Sequence, residues 1–158
     1  MEKSTCKRCV STALWRWTAI ALVMGLCMTG NAVAGDYGPY KAVLVRVIDG
    51  DSVVVDVDLW PGLAQRVSVR LAGINAPELR APAECERLAA QKAMDAVQAL
   101  VTTGTLTLTD VGPDKYWGRI VGKLWVVTAK GKVDLGQILI ERRLAKPYSG
   151  GKRLPWCG

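Results

Sequence analysis

The stretch Val47-Ile48-Asp49-Gly50-Asp51-Ser52-Val53 decides how this chain is read. β-Branched residues run into an Asp-Gly-Asp turn and out again. Asp-Gly between apolar runs is a strong hairpin signal, because glycine accepts the positive φ of a tight turn. The reading sets two carboxylates at the mouth of a hairpin. Taken alone, such a turn is most simply solvated. Two later segments change its meaning: Val69-Arg70-Leu71-Ala72-Gly73-Ile74-Asn75-Ala76-Pro77-Glu78 and Asp114-Lys115-Tyr116-Trp117-Gly118-Arg119. Together the three offer oxygen ligands for a metal, one further carboxylate for base work and two arginines for a phosphate.

Working outward, Ser52 to Asp58 alternates cleanly, with Val53, Val55 and Val57 on one face. Upstream, Ala42 to Val47 is rich in Val and Leu and reads as a buried strand. Leu59-Trp60-Pro61-Gly62 is a turn, and Arg66 to Leu71 alternates again with Val67, Val69 and Leu71 inward. Pro82 to Thr102 is the one long helix: Ala90, Ala93, Met94, Val97, Leu100 and Val101 recur at spacings of three and four, the stripe of a core-facing helix. Thr103-Gly104 ends it. Thr105 to Val111 and Ile120 to Thr128 are two more strands, the second closed by an Ala129-Lys130-Gly131-Lys132 turn. Asp134 to Arg142 is a short helix with Asp134 as N-cap. Trp60, Trp125 and Trp156 are expected as core or cover. The tail from Pro147 to Gly158 has no periodicity. Five short strands with a helix between the third and fourth predict a mainly β, α+β fold, a five-stranded OB-type barrel with one long and one short helix.

The chain has 158 residues, with 21 Lys and Arg against 14 Asp and Glu. Residues 1–34 read as an export signal: Lys3, Lys7, Arg8 and Arg16 precede and flank an uncharged apolar centre, and Ala32-Val33-Ala34 is a small-x-small cleavage site. The apolar centre is short for a membrane span of about 20 residues. The mature domain is then 35–158, periplasmic or secreted, without stable membrane association after cleavage and monomeric by default. It keeps a mild excess of basic residues, which suits a polyanion. Cys6, Cys9 and Cys27 leave with the signal. Cys85 and Cys157 stay, and two cysteines in an exported domain suggest one disulfide. There is no histidine. Histidine bases, histidine nucleophiles and Cys/His zinc sites are thereby excluded, and acid–base work falls to Asp, Glu, Lys, Tyr or bound water.

Asp51 offers a hard anionic oxygen to an ion such as Ca²⁺, Asn75 an amide oxygen, and Ala76 a backbone carbonyl. Glu78 is placed to deprotonate a water, and Arg70 and Arg119 to fork onto phosphate oxygens. In-line displacement at phosphorus needs little more. In these motifs, and in their order from about Lys41 to Lys146, the sequence resembles the staphylococcal nuclease (thermonuclease) family. The resemblance implies an OB barrel that cuts DNA and RNA with calcium. It implies Asp51, Asn75 and the Ala76 carbonyl around the metal, Glu78 as general base, and Arg70 and Arg119 on the scissile phosphate. Tyr116, with Lys115 beside it, falls where the family contacts a nucleotide.

Three departures stand out. Asn75 replaces the family's aspartate, so one negative charge is lost and calcium should bind more weakly. Trp117 adds a residue between Tyr116 and Gly118. The family's last helix has no counterpart, and a Cys85–Cys157 bridge is expected to substitute for its packing. A rival reading is a non-catalytic nucleic-acid-binding OB barrel whose metal site has lapsed at Asn75. Another is a module for a different anionic polymer on the same fold. Arg142, Arg143, Lys146, Lys152 and Arg153 form a charge-rich end that reads either as a solvated face or as a track for a phosphate backbone.

Overall fold

A computed structural model describes residues 37–102, 105–128 and 131–157. The expected leader, the Thr103-Gly104 stop and Ala129-Lys130 lie outside the described residues. Strands β1 (Tyr40–Asp49), β2 (Ser52–Trp60) and β3 (Leu63–Leu71) form the meander, joined by turns at Gly50-Asp51 and Pro61-Gly62. The dipeptide strand β4 (Ile74–Asn75) leads to helix α1 (Glu84–Val101). Then come β5 (Leu106–Pro113), β6 (Arg119–Thr128), β7 (Gly131–Asp134), helix α2 (Leu135–Glu141) and a second dipeptide strand, β8 (Lys146–Pro147).

The strands pair antiparallel in the order β3-β2-β1-β5-β6, and β3 then meets β6 in parallel, Ser68 opposite Arg119 and Leu71 opposite Gly122. That last pairing closes five strands into a mixed barrel and leaves neither β3 nor β6 as a free edge. Its interior is filled by Val53, Val55, Val57, Val69, Leu71, Leu106, Leu108, Leu124 and Val126, all buried. α1 lays Ala90, Ala93, Val97 and Val101 against one end, the spacing read from the sequence. α2 adds Leu135 and Leu139, and its N-cap Asp134 accepts a bond from the Gly136 N–H at 2.8 Å. Among the described residues no helix is long and apolar enough to cross a membrane.

Four expectations need correction. Gly50 does not adopt the left-handed region. It is required by space: a Cβ there would lie 2.7 Å from the Ala93 Cβ and 2.8 Å from the Ala76 Cβ, closer than real atoms approach. β1 is not a buried strand, since Val43 and Val45 face solvent, and a bulge between Leu44 and Arg46 breaks its alternation. Trp60 is 74% exposed, because it sits at the tip of the β2–β3 hairpin beyond the barrel wall. Gly131 and Lys132 belong to β7 and not to the preceding turn.

The tail is ordered without being periodic. Ile74 and Asn75 pair with Pro147 and Lys146, and the Tyr148 N–H donates to the Gly73 carbonyl at 2.8 Å. Lys146 donates to the Pro155 carbonyl at 2.7 Å and lies over the Trp156 ring. Cys157 is bonded to Cys85 in the first turn of α1.

Candidate active site

The parallel β3–β6 pairing organises one end of the barrel. Ser68 is opposite Arg119, and side chains two apart on a strand share a face, so Arg70 and Arg119 project from the same side of adjacent strands. Across β2–β3, Ser52 is opposite Arg70, which brings the Gly50-Asp51 turn beside the guanidinium. A register shift between Val47 and Asp49 leaves Ile48 as the extra residue and aims Asp49 into the same end.

Asp51 is the hub. Its Oδ1 accepts from Arg70 Nη1 at 2.8 Å and from Ser52 Oγ at 3.0 Å, and its Oδ2 accepts from the Ala76 N–H at 3.1 Å. The Asp51 carbonyl accepts from the Leu71 N–H at 2.8 Å. The carboxylate is 7% exposed and its arginine 14%, so this is a buried, hydrogen-bonded pair. Arg70 is braced further by the Ile74 carbonyl at 3.3 Å. Asp49 Oδ1 accepts from the Asp51 N–H at 3.0 Å. Burial and the neighbouring Asp51 carboxylate push the Asp49 carboxyl above its ordinary range.

Arg119, on the adjacent strand, has its own partners. Asp114 holds it through Nε, and its guanidinium carbon lies 4.9 Å from the centre of the Tyr116 ring. Lys115 reaches the same ring, also at 4.9 Å. Burial alone would raise the Asp114 carboxyl. The hydrogen bond and charge of Arg119, with the Lys115 and Tyr116 N–H groups, outweigh it and hold the group below its ordinary value. Gly118 takes a φ of +80°, so the extra residue Trp117 is turned fully into solvent while Tyr116 keeps its contact with Arg119.

These segments meet on a cleft of about 430 Å³. Asp49, Asp51, Arg70, Glu78 and Arg119 all line it, as does Ala76. Tyr116 and Lys115 do not line it; Tyr116 packs under Arg119, which does, and Lys115 lies over the Tyr116 ring. Glu78 forms an ion pair with Arg153, and its N–H donates to Glu86 at 3.3 Å. Asn75 does not line this cleft. Its side chain is buried with Oδ1 unpartnered, and it borders two smaller cavities under the tail.

The donors facing the cleft are hard oxygens, which match calcium or magnesium in type. The crowding that raises Asp49 is the situation a cation relieves, since two neighbouring carboxylates face only one nearby guanidinium on the Asp51 side. The fit is sparse: among the described residues no group of three or more acidic or cysteine side chains is gathered as a metal cluster. Calcium takes about six to eight oxygens, so water would complete most of its shell.

The charged residues Asp49, Arg80 and Arg153 line the cleft and are absent from the sequence reading of the site. Asp49 was in view in the same turn, but spacing does not tell which of two turn carboxylates a bulge will aim inward. Arg153 stands in an aperiodic tail, and only its place in a basic run marked it.

Residues 68–153 match the family of staphylococcal nuclease homologues. That span holds Arg70, Asn75, Ala76, Glu78, Arg119 and Arg153, while the Asp49-Gly50-Asp51 turn precedes it. Protein ParB of Escherichia coli is 35% identical over 86 residues, which is 54% of this chain and 42% of that protein. The chain therefore matches less than half the length of that relative. With more than half of its residues in the match and a closed five-stranded barrel beneath them, the chain belongs to the staphylococcal nuclease homologue family.

Proposed function

We propose that this chain is a calcium-dependent phosphodiesterase that hydrolyses DNA, RNA or both with little sequence preference, acting as a monomer in the periplasm or medium after removal of residues 1–34. The observation that carries the reading is the joint presence of Asp51, Arg70, Glu78 and Arg119 on one cleft. These residues come from three separate segments, and no packing requirement of the barrel asks for all four at one end. Family membership supports the same class of reaction.

Asp49, Asp51 and the backbone of Ala76 are the groups that would hold the ion. Bound there, calcium supplies charge neutralisation and orientation to a phosphate and its attacking water. Asn75 is the weakest member of the implied ligand set, because it lines the cavities under the tail and not the cleft, and its amide brings no negative charge. Glu78, at the cleft surface, takes the proton of the attacking water. Arg119, held by Asp114 through Nε, keeps its Nη groups for phosphate oxygens. Arg70 donates from the neighbouring strand while anchored to Asp51. Both neutralise charge that builds on the equatorial oxygens during attack. Contacts of this kind grip backbone phosphates and carry no base information. A single or frayed strand suits an open groove on an OB barrel.

The test uses purified 35–158 with its disulfide formed, incubated with single-stranded and duplex DNA and RNA in calcium, magnesium or EGTA. Calcium-dependent cleavage that is lost in Arg119→Ala supports the reading. Retained binding without cleavage at high calcium would overturn it in favour of a nucleic-acid-binding barrel, a reading favoured by the sparse acidic set among the described residues and by Asn75's place outside the cleft lining.

A further inference from the structure

We propose that Arg153 is a third phosphate-binding arginine of the cleft, delivered there by the disulfide-tethered tail; this rests on the nuclease reading above. Arg153 lines the main cleft together with Arg70, Arg80 and Arg119, and with Arg80 it also lines the adjoining cavity of about 310 Å³ under the tail; of these two, Arg153 is the one paired with Glu78. Ala76 and Glu78 border both spaces, so Arg153 stands at their junction. Its side chain is 46% exposed and one Nη is paired with Glu78. A guanidinium carries five N–H donors in a fork, so donors are left for an anion entering the cleft.

The pairing with Glu78 does not account for the position by itself. Both partners are about half exposed, and such ion pairs contribute little to stability. Yet the tail that carries Arg153 is fixed at several points. Pro147 and Lys146 pair with Ile74 and Asn75, Lys146 binds the Pro155 carbonyl and stacks on Trp156, and Cys157 is bonded to Cys85. A merely solvating arginine needs no such frame. The frame holds one cation over the carboxylate read as the base and within the cleft's wall. A polynucleotide whose scissile phosphate lies between Arg70 and Arg119 must continue beyond the cleft. The adjoining cavity carries Arg80 and Arg153, and Arg153 is the one that the tail holds against Glu78. Arg153 thus takes a neighbouring phosphate, and Glu78 is its partner in the empty cleft.

The test is salt-dependent binding of a labelled single-stranded oligonucleotide in EGTA, which needs no turnover. Each phosphate contact contributes about 0.7 to the slope of log K against log salt for a single strand. Arg153→Ala should lower the slope by about that amount and weaken binding across unrelated sequences alike. Arg153→Lys should restore most of the slope, since the charge is kept. In cleavage assays KM should rise more than kcat falls. An unchanged slope in Arg153→Ala, with wild-type binding and cleavage intact, overturns this proposal and leaves the nuclease reading standing. A wild-type chain that neither binds nor cleaves overturns the function first and this assignment with it.

Discussion

Replacing Cys85 and Cys157 with serine should cost this domain about 4 kcal/mol. The two residues are 72 apart in the chain, and they join the first turn of α1 to the end of the tail. Closing a loop of that length removes about 15 cal/mol/K from the unfolded ensemble in the chain-entropy model, or about 4.4 kcal/mol at 25 °C. The native tail has little to set against this. Its last residues make a few surface hydrogen bonds and one cation–π contact, with Leu154 exposed, so the bridge acts chiefly on the unfolded chain. Domains of this size are stable by about 5–15 kcal/mol, so the loss is a large fraction of the whole. Urea unfolding followed by tryptophan fluorescence gives the measurement. With a slope of about 2 kcal/mol/M, the midpoint should fall by about 2 M. The slope itself should rise slightly, because the untethered chain exposes more surface when unfolded. A midpoint shift below about 0.3 M, with the bridge verified in the wild type by thiol titration, would refute the reasoning.

Three other changes test the site. Arg70→Ala strands the buried Asp51 carboxylate and should destabilise the fold by about 3–5 kcal/mol, part of which Asp51→Asn in the same chain should return; equal unfolding midpoints for Arg70→Ala and wild type would sink this. Asn75→Asp restores a carboxylate at the implied ligand position and should tighten calcium binding by calorimetry while lowering the melting temperature in EGTA, where the buried charge has no partner; calcium affinity that does not move would show that position 75 is no ligand. The third concerns pH. Asp49 is raised above its ordinary value near 3.8, so the folded state carries a penalty at neutral pH that fades as pH falls through the raised value. Asp49→Asn should therefore raise the melting temperature in EGTA at pH 7, with the gain shrinking on acidification. Asp114 is depressed below 3.8, so its contribution is present above that pH and lost beneath it; Asp114→Asn should lower the melting temperature at pH 7 and lose that effect only in stronger acid. A lowered melting temperature for Asp49→Asn, or a raised one for Asp114→Asn, would contradict the assigned causes.

The barrel was legible because period-two valine runs and one helical stripe do not fit any other arrangement as simply. Val53, Val55 and Val57 face inward as their spacing requires, and Ala90, Ala93 and Val97 face the barrel as theirs does. The parallel closure of β3 on β6 was not written in any local pattern, since it joins strands some fifty residues apart. The dipeptide strands β4 and β8 are too short to show a period. Around the cleft, motif spacing brought Asp51, Arg70, Glu78 and Arg119 into one frame. It did not reveal that Ile48 is a bulge residue, which is what turns Asp49 inward. Nor did it show that Asn75 lies outside the cleft lining, because a two-residue strand is placed through pairing with the distant Lys146. Arg153 depends on a fold-back of the tail that only tertiary contacts specify.

Gly50, Ala76 and Ala93 meet in a three-way contact with no room for one more carbon. One of the three belongs to the turn that bears Asp49 and Asp51, one to the loop before Glu78, and one to the middle of α1. The helix is therefore a gauge block for the cleft end of the barrel, and the spacing between the carboxylate turn and the Glu78 loop is set by its thickness at one alanine. A mutational scan should find these positions more intolerant than many bulkier neighbours, and intolerant in a particular way. Larger residues at 93 should impair phosphodiester chemistry before they unfold the barrel, although position 93 touches no substrate.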